Sequence, residues 1–326
     1  MSEDMFMGKT SFSNYGEPRT LNSIVSIAKA LKGNTTLETL YLYNNYIGVE
    51  GAEAIAEALK VNTKLKTLDL CKNQMGVDGA ITIAIALLHN ETLKEISLYW
   101  NNIGVGGAEA IAEALKDNTT LEELNLRYNE IGAEGAETIA EALKDNKTLK
   151  RIDLGDNEIG ATRTLSKRTS DGGYNVVHAA NPVILGHVQA MAEALKDNKG
   201  LEKIILKKNN IGDEGAKAIA EALKVNTTLK EIYLNKNKIG EEGAIYIADA
   251  LKVNETLHLV DLTDNYDIPT SAKKELQKIS RQKTTEEKKP GLFSRMWQGK
   301  KKEEEEKIKK ELNIKTMSDY NPKIKF

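Results

Sequence analysis

Residues 37–64 read LETLYLYNNYIGVEGAEAIAEALKVNTK. The opening LETLYLY alternates apolar and variable positions, the pattern of a strand with Leu40 and Leu42 turned inward. Asn45 closes the strand, and Ile47–Gly48 and Gly51 lead into AEAIAEALK. There Ala52, Ile55, Ala56 and Leu59 fall on one stripe at helical spacing, while Glu53, Glu57 and Lys60 fall outside it. The stretch is one strand–turn–helix unit, and it cannot bury its apolar side alone.

The unit recurs along the chain as L-x-x-(L/I/V)-x-L-x-x-N. Its first residue is Leu37, Leu65, Leu93, Leu121, Leu149, Leu201, Leu229 or Leu257; successive copies start 28 residues apart, except for one interval of 52. Repetition with one handedness predicts an α/β solenoid. It is a right-handed β–α horseshoe, with a parallel sheet on the concave face and helices on the convex face. An Asn ends every strand motif: Asn45, Asn73, Asn101, Asn129, Asn157, Asn209, Asn237 and Asn265. An amide can satisfy main-chain groups at a corner, so this column is structural. A second column, Asn34, Asn62, Asn90, Asn118, Asn146, Asn198, Asn226 and Asn254, ends the helices. It is expected to do so in the left-handed conformation. Six of these lie in N-x-T (Asn34, Asn90, Asn118, Asn146, Asn226, Asn254). A helix stop explains all members of the column, with or without the sequon, so they are not read as glycosylation acceptors.

The phrase IGxEGAxAIAxALKxNTTLxxLxL resembles the ribonuclease-inhibitor-like class of leucine-rich repeats over about residues 20–279. Related arrays occur in intracellular immune receptors and in Ran GTPase-activating proteins. The resemblance implies the fold and a ligand-binding concave face; it does not specify the ligand.

Three regions depart from the repeat. Residues 1–19 are expected to be a flexible N-terminus, followed by LNSIVSIAKALKGN (21–34), a capping helix without its own strand. The 52-residue interval holds an insertion at 162–185, between strand and helix, whose removal restores the phase. It is either a recognition finger on one rim or a neutral graft into an exposed loop. Pro269 and residues 270–279 read as the terminal cap, closing a repeat domain of 20–279. Residues 280–326 form a charged tail expected to be disordered. It carries 14 basic and 8 acidic residues, against 32 and 40 in residues 1–279. Within it Leu292–Lys302 sets Leu292, Phe293, Met296 and Trp297 among basic residues, suited to weak contact with an anionic membrane or an acidic protein.

The composition excludes several classes. The chain has 326 residues, 29% charged and 5% aromatic. No run reaches a membrane helix, and MSEDMFMGKTSFSN has no secretory pattern. One cysteine, Cys71, allows no internal disulfide, so a cytoplasmic location is expected, or delivery into a host cell if the source is bacterial. The acidic balance of the array disfavours nucleic acid. Gly8-Lys9-Thr10 imitates a phosphate loop, but Glu3 stands where that motif needs glycine. Cys71 lacks a nearby base, His89 falling at a helix end on the other edge. His178 and His187 lie in or beside the insertion without metal-ligand spacing. No catalytic residue, cofactor or metal ligand is assigned.

The third, fifth, seventh and eighth motif positions remain for the concave face. The fifth carries Tyr41, Asp153 and Tyr233; the seventh carries Tyr43, Cys71, Tyr99, Arg127 and Lys207; the eighth carries Lys72, Trp100, Tyr128, Asp156 and Lys208. Column members sit on adjacent strands about 5 Å apart. Tyr43, Tyr99, Trp100, Arg127 and Tyr128 therefore gather on the first four copies, while Lys207, Lys208 and Lys236 face Asp153, Asp156, Asp261 and Asp264. Tyr, Trp and Arg dominate binding energy at interfaces. The expectation is a non-enzymatic, monomeric scaffold that binds a partner protein through Tyr41, Tyr43, Tyr99, Trp100, Arg127, Tyr128, Asp153, Lys207 and Tyr233. The alternatives are a GTPase activator of the Ran type, or a bacterial effector acting on a host protein.

Overall fold

The computed structural model describes Phe6 and residues 8–14, 20–160, 166–168, 174–176, 182–266 and 268. The chain divides into two units, Met1–Lys283 and Thr284–Phe326. The tail expected at 280–326, with Leu292–Lys302, lies outside the described residues, as do Pro269 and residues 270–279.

Strands and helices alternate through the first unit: β1 (Ser11–Ser13), α1 (Leu21–Lys32), β2 (Thr39–Tyr41), α2 (Gly48–Leu59), β3 (Thr67–Asp69), α3 (Gly76–His89), β4 (Glu95–Ser97), α4 (Gly104–Asp117), β5 (Glu123–Asn125), α5 (Gly132–Asp145), β6 (Arg151–Asp153), β7 (Ser166–Arg168), β8 (Tyr174–Val176), α6 (Pro182–Asp197), β9 (Lys203–Ile205), α7 (Gly212–Leu223), β10 (Glu231–Tyr233), α8 (Glu241–Leu251) and β11 (Leu259–Asp261). Nine strands form one open sheet in the order β1-β2-β3-β4-β5-β6-β9-β10-β11, parallel throughout. Each helix packs on the helix of the next repeat. The chain is thus an α/β solenoid of one strand layer and one helix layer. No described helix is long and apolar enough to cross a membrane.

The motif leucines build the core. In the first copy Leu37, Leu40 and Leu42 from the strand side meet Ile55 and Leu59 from the helix, all fully buried. Each such side chain contributes about 1.5–3 kcal/mol of transfer free energy. Small residues set the helix spacing. A Cβ on Gly51 would lie 2.7 Å from Ile47 Cγ2 and 3.2 Å from Ile24 Cγ2, so any side chain here would have to push both isoleucines aside. Gly48, which opens the helix, holds φ +61°, a left-handed value that glycine adopts without cost.

Two asparagine ladders tie the repeats together. In the first, Asn73 Oδ1 accepts from the Asn45 N–H at 2.7 Å, and Asn73 Nδ2 donates to Leu42 O at 2.8 Å and Cys71 O at 3.1 Å. The second ladder corrects the sequence expectation. Asn62, Asn90, Asn118 and Asn146 are not left-handed; Asn90 is extended, at φ −91° and ψ 121°. Asn62 Oδ1 accepts from Lys64 N–H at 2.9 Å and Leu65 N–H at 2.8 Å, while its Nδ2 donates to Leu31 O at 2.8 Å and Asn34 O at 3.0 Å. Amide bonding across the stack stops the helix, with no need for a left-handed turn. In the sequons, Nδ2 of Asn90, Asn118, Asn146 and Asn226 is buried and bonded in the same way, which leaves no room for a glycan.

The left-handed positions lie elsewhere, at the eighth and tenth motif residues: Asn44, Lys72, Trp100, Tyr128, Asp156, Lys208, Lys236 and Asp264, then Tyr46, Gln74, Asn102, Glu130, Glu158, Asn210 and Lys238.

The N-terminal cap also differs from expectation. Helix α1 does have a strand, β1, paired in parallel through Phe12↔Leu40, within the segment expected to be flexible. The rings of Phe12 and the buried Phe6 meet edge-on at 5.1 Å. Asn14 joins the first ladder, its main-chain O accepting from Asn45 Nδ2 at 3.1 Å. The segment SFSN lacks the leucine motif but closes the sheet end in the same way.

At the expected insertion, β7 and β8 form an antiparallel pair, and α6 begins at Pro182. The remainder of 162–181, including His178, lies outside the described residues.

Candidate functional site

The left-handed backbone at the eighth motif position swings its side chain out of the strand plane. Six of its occupants are polar Asn, Lys or Asp residues within the first, second, fifth and later repeats, but the third and fourth carry Trp100 at φ +56° and Tyr128 at φ +61°. Large aromatics are rare in this conformation, which costs about 1 kcal/mol or more for a side chain with a Cβ. Both stay open to solvent, at 40% and 42% exposure. Their ring centroids lie 4.7 Å apart. Tyr99, from the seventh position, meets Trp100 edge-on at 6.0 Å and Tyr128 at 6.4 Å. Burial pushes the Tyr99 hydroxyl up to about 12, so it stays protonated at neutral pH.

Cations bracket this aromatic group. Lys72 Nζ sits 4.7 Å from the Trp100 ring centre and 5.3 Å from that of Tyr43. The Arg127 guanidinium lies 5.9 Å from the Tyr99 ring and Lys208 Nζ 6.0 Å from the Tyr128 ring. Asp156 anchors both of the latter: Arg127 Nε donates to Oδ2 at 2.8 Å, and Lys208 Nζ lies 2.8 Å from Oδ1. The Asp156 side chain is only 4% exposed. Burial alone would raise its carboxyl, but the bonds from Lys208 and Arg127 outweigh this and hold it below the ordinary aspartate range.

The sheet therefore brings together five of the residues expected from sequence: Tyr43, Tyr99, Trp100, Arg127 and Tyr128. Lys207 follows beside them, its ammonium lowered by burial and by the nearby Arg127. Asp153 has a main-chain role: its Oδ1 accepts from Gly155 N–H at 2.9 Å, and burial raises its carboxyl. Tyr233 belongs to a separate group, donating its hydroxyl to Glu231 at 3.0 Å beneath the Lys203 ammonium, which pairs with Glu231. Tyr41 lies on β2, two residues before Tyr43, and is half-buried. Sequence reasoning did not single out Lys72, although its place in the eighth motif column, next to Trp100, was the available signal. Cys71 is buried, its Sγ 2.8 Å from Ser97 Oγ, a packed thiol.

A family model described as Leucine Rich repeat matches residues 33–56, 61–84, 89–112, 117–140, 145–162, 197–220 and 225–248. Each match begins just ahead of a strand, and all but 145–162 run into the following helix, in phase with the asparagine ladders. The chain is a leucine-rich repeat protein. Its 28-residue strand–helix unit fits the ribonuclease-inhibitor-like class. No curated protein matches it. Among solved structures, the chain is similar to leiomodin-1 actin-binding site 2, at 29% identity and a TM-score of 0.40, over 44% of this chain and 84% of that one. It is similar to the leucine-rich repeat-containing protein LegL7 from Legionella pneumophila, at 12% identity and a TM-score of 0.47, over 84% of this chain and 91% of that one. A third likeness is the tropomodulin C-terminal domain of Caenorhabditis elegans, at 15% identity and a TM-score of 0.40, over 54% of this chain and 92% of that one.

Proposed function

We propose that this leucine-rich repeat array is a non-catalytic scaffold that captures a partner protein on its sheet face, centred on Trp100 and Tyr128. One observation carries the reading. The fold needs a left-handed residue at the eighth position of every repeat, and polar side chains fill it elsewhere, so aromatics there add strain and exposed apolar surface without serving the core. Such a cost is consistent with a surface kept for an interaction. Tyr43, Tyr99 and Arg127 extend the surface, and Lys72 and Lys208 frame it with charge.

The test is affinity capture followed by mass spectrometry. The full chain, the chain ending at Ser280 and the Trp100→Ala/Tyr128→Ala variant are compared in parallel. Partners retained by the first two and lost by the third support the reading. Identical partner sets for all three overturn it. Stimulated GTP hydrolysis across a panel of small GTPases would replace the scaffold with a GTPase activator.

A further inference from the structure

The cations beside the aromatic shelf are not each paired with a carboxylate. Arg127, Lys207, Lys208 and Lys236 come from neighbouring repeats along the seventh and eighth columns. Asp156 is saturated by Arg127 and Lys208, one on each oxygen. Asp264 lies 3.7 Å from Lys236. Asp153 turns inward to a main-chain N–H, and burial raises its carboxyl. Among the described residues, Lys207 is left with no hydrogen bond or ion pair. It is half-buried, and desolvation and the nearby Arg127 charge lower its ammonium more than the charges of Asp156 and Asp153, neither of them bonded to it, raise it.

Gly155 lies between Arg127 and Lys207 in the seventh column. A Cβ there would fall 3.1 Å from Asp153 Oδ1, 3.3 Å from Lys207 O and 3.5 Å from Arg127 Cδ. The missing side chain lets Arg127 lie across the fifth repeat, toward Lys207. Two strand spacings separate the two backbones, about 10 Å, a gap that an arginine and a lysine reaching inward can close on one small anion.

We infer that Arg127 and Lys207 form a subsite for a carboxylate side chain of the partner protein, next to the Trp100–Tyr128 shelf. The bound segment would place an Asp or Glu on the two cations while a large apolar neighbour covers the two rings. This rests on the proposed binding face and specifies the chemistry of its partner.

The probe is a display library of random peptides, selected on the full chain at physiological salt and sequenced. The expected winners carry Asp or Glu within a few residues of Trp, Phe or Leu. Lys207→Glu should weaken them by about tenfold or more, and Lys207→Gln by less. Both variants are checked for unchanged circular dichroism. Winners that need Trp100 and Tyr128 but show no acidic bias and ignore Lys207→Glu overturn the subsite alone. Winners indifferent to Trp100→Ala/Tyr128→Ala, or an empty selection, overturn the binding face as well. A single-stranded RNA that displaces the peptides at equal affinity assigns the cations to nucleic acid and overturns the carboxylate assignment.

Discussion

The backbone N–H of Asn157 donates to Asn209 Oδ1 at 2.9 Å, across 52 residues of sequence. Elsewhere the same bond spans 28, as between Asn129 and Asn157 at 2.8 Å. Asn209 Nδ2 also reaches back to Leu154 O at 2.8 Å, and Ile152 stays in register with Ile204. The inserted residues therefore leave both the ladder and the sheet in phase. The helix layer does not ignore them. His187 occupies the place of Gly51, Gly79, Gly107, Gly135, Gly215 and Gly243, with Nδ1 2.5 Å from Glu137 Oε2.

That substitution predicts opposite signs in two backgrounds. Deleting Thr162–Leu185 restarts the helix at Gly160 and forces His187 into a site where Gly51 has only 2.7 Å to the Ile47 side chain. The deletion should keep cooperative unfolding but lose roughly 1–3 kcal/mol to overpacking. Adding His187→Gly should recover most of it. In the full chain, His187→Gly should instead cost about 1 kcal/mol, from the lost Glu137 contact and glycine flexibility. Urea unfolding of the four proteins decides, and equal signs in both backgrounds would refute the argument.

Replacing a ladder amide should cost more than its size suggests. Asn129 accepts from Asn101 N–H at 2.7 Å and donates to Leu98 O at 2.9 Å and Leu126 O at 3.0 Å, fully buried. Asn129→Ala strands these groups without water. The expected loss is about 2–4 kcal/mol in urea unfolding. A loss under about 0.5 kcal/mol would mean that water replaces the amide.

Most of the fold was legible because each repeat reports the same physics again. Leu40, Leu42 and Asn45 are buried for reasons that spacing alone reveals, and so are their counterparts. The turn chemistry was less legible. The column of Asn62 suggested left-handed helix stops from residue preference, but its bonds run between repeats, which a single unit cannot display. Strand β1 was hidden because Ser11–Ser13 borrows its register from β2 and carries no leucine motif. In the site, residue type and column located Trp100 and Tyr128. Lys72 and Asp156 acquire their roles from partners one or two repeats away, such as Trp100 and Lys208.

Trp100→Asn separates stability from binding. Asparagine tolerates φ +56° better than tryptophan, which offsets the lost ring contacts with Tyr128 and Lys72. Folding stability should stay within about 1 kcal/mol of wild type. Binding to a captured partner should weaken by ~2 kcal/mol or more, and further in the Trp100→Ala/Tyr128→Ala variant. Isothermal titration alongside urea unfolding measures both. A variant that binds as well as wild type removes Trp100 from the interface.

Asp156 should leave a signature in the pH dependence of stability. Its carboxyl is held below the ordinary aspartate value in the folded chain, so the unfolded chain takes up its proton first as pH falls. The stability it contributes is present above the ordinary aspartate pKa and is lost as pH drops toward the lowered value. Glu123 is raised by burial and acts with the opposite slope, but it is common to wild type and variant and cancels in the difference; Asp153, raised mainly by burial, feels the Asp156 charge as the last of its causes and so offsets only a small part of that difference. Asp156→Asn should therefore be less stable than wild type at neutral pH, where Arg127 and Lys208 lose their carboxylate, and the gap should shrink steadily on acidification. Thermal or urea unfolding from neutral to about pH 3 measures it. A gap that stays constant over that range would show that Asp156 is not the charge holding the two cations.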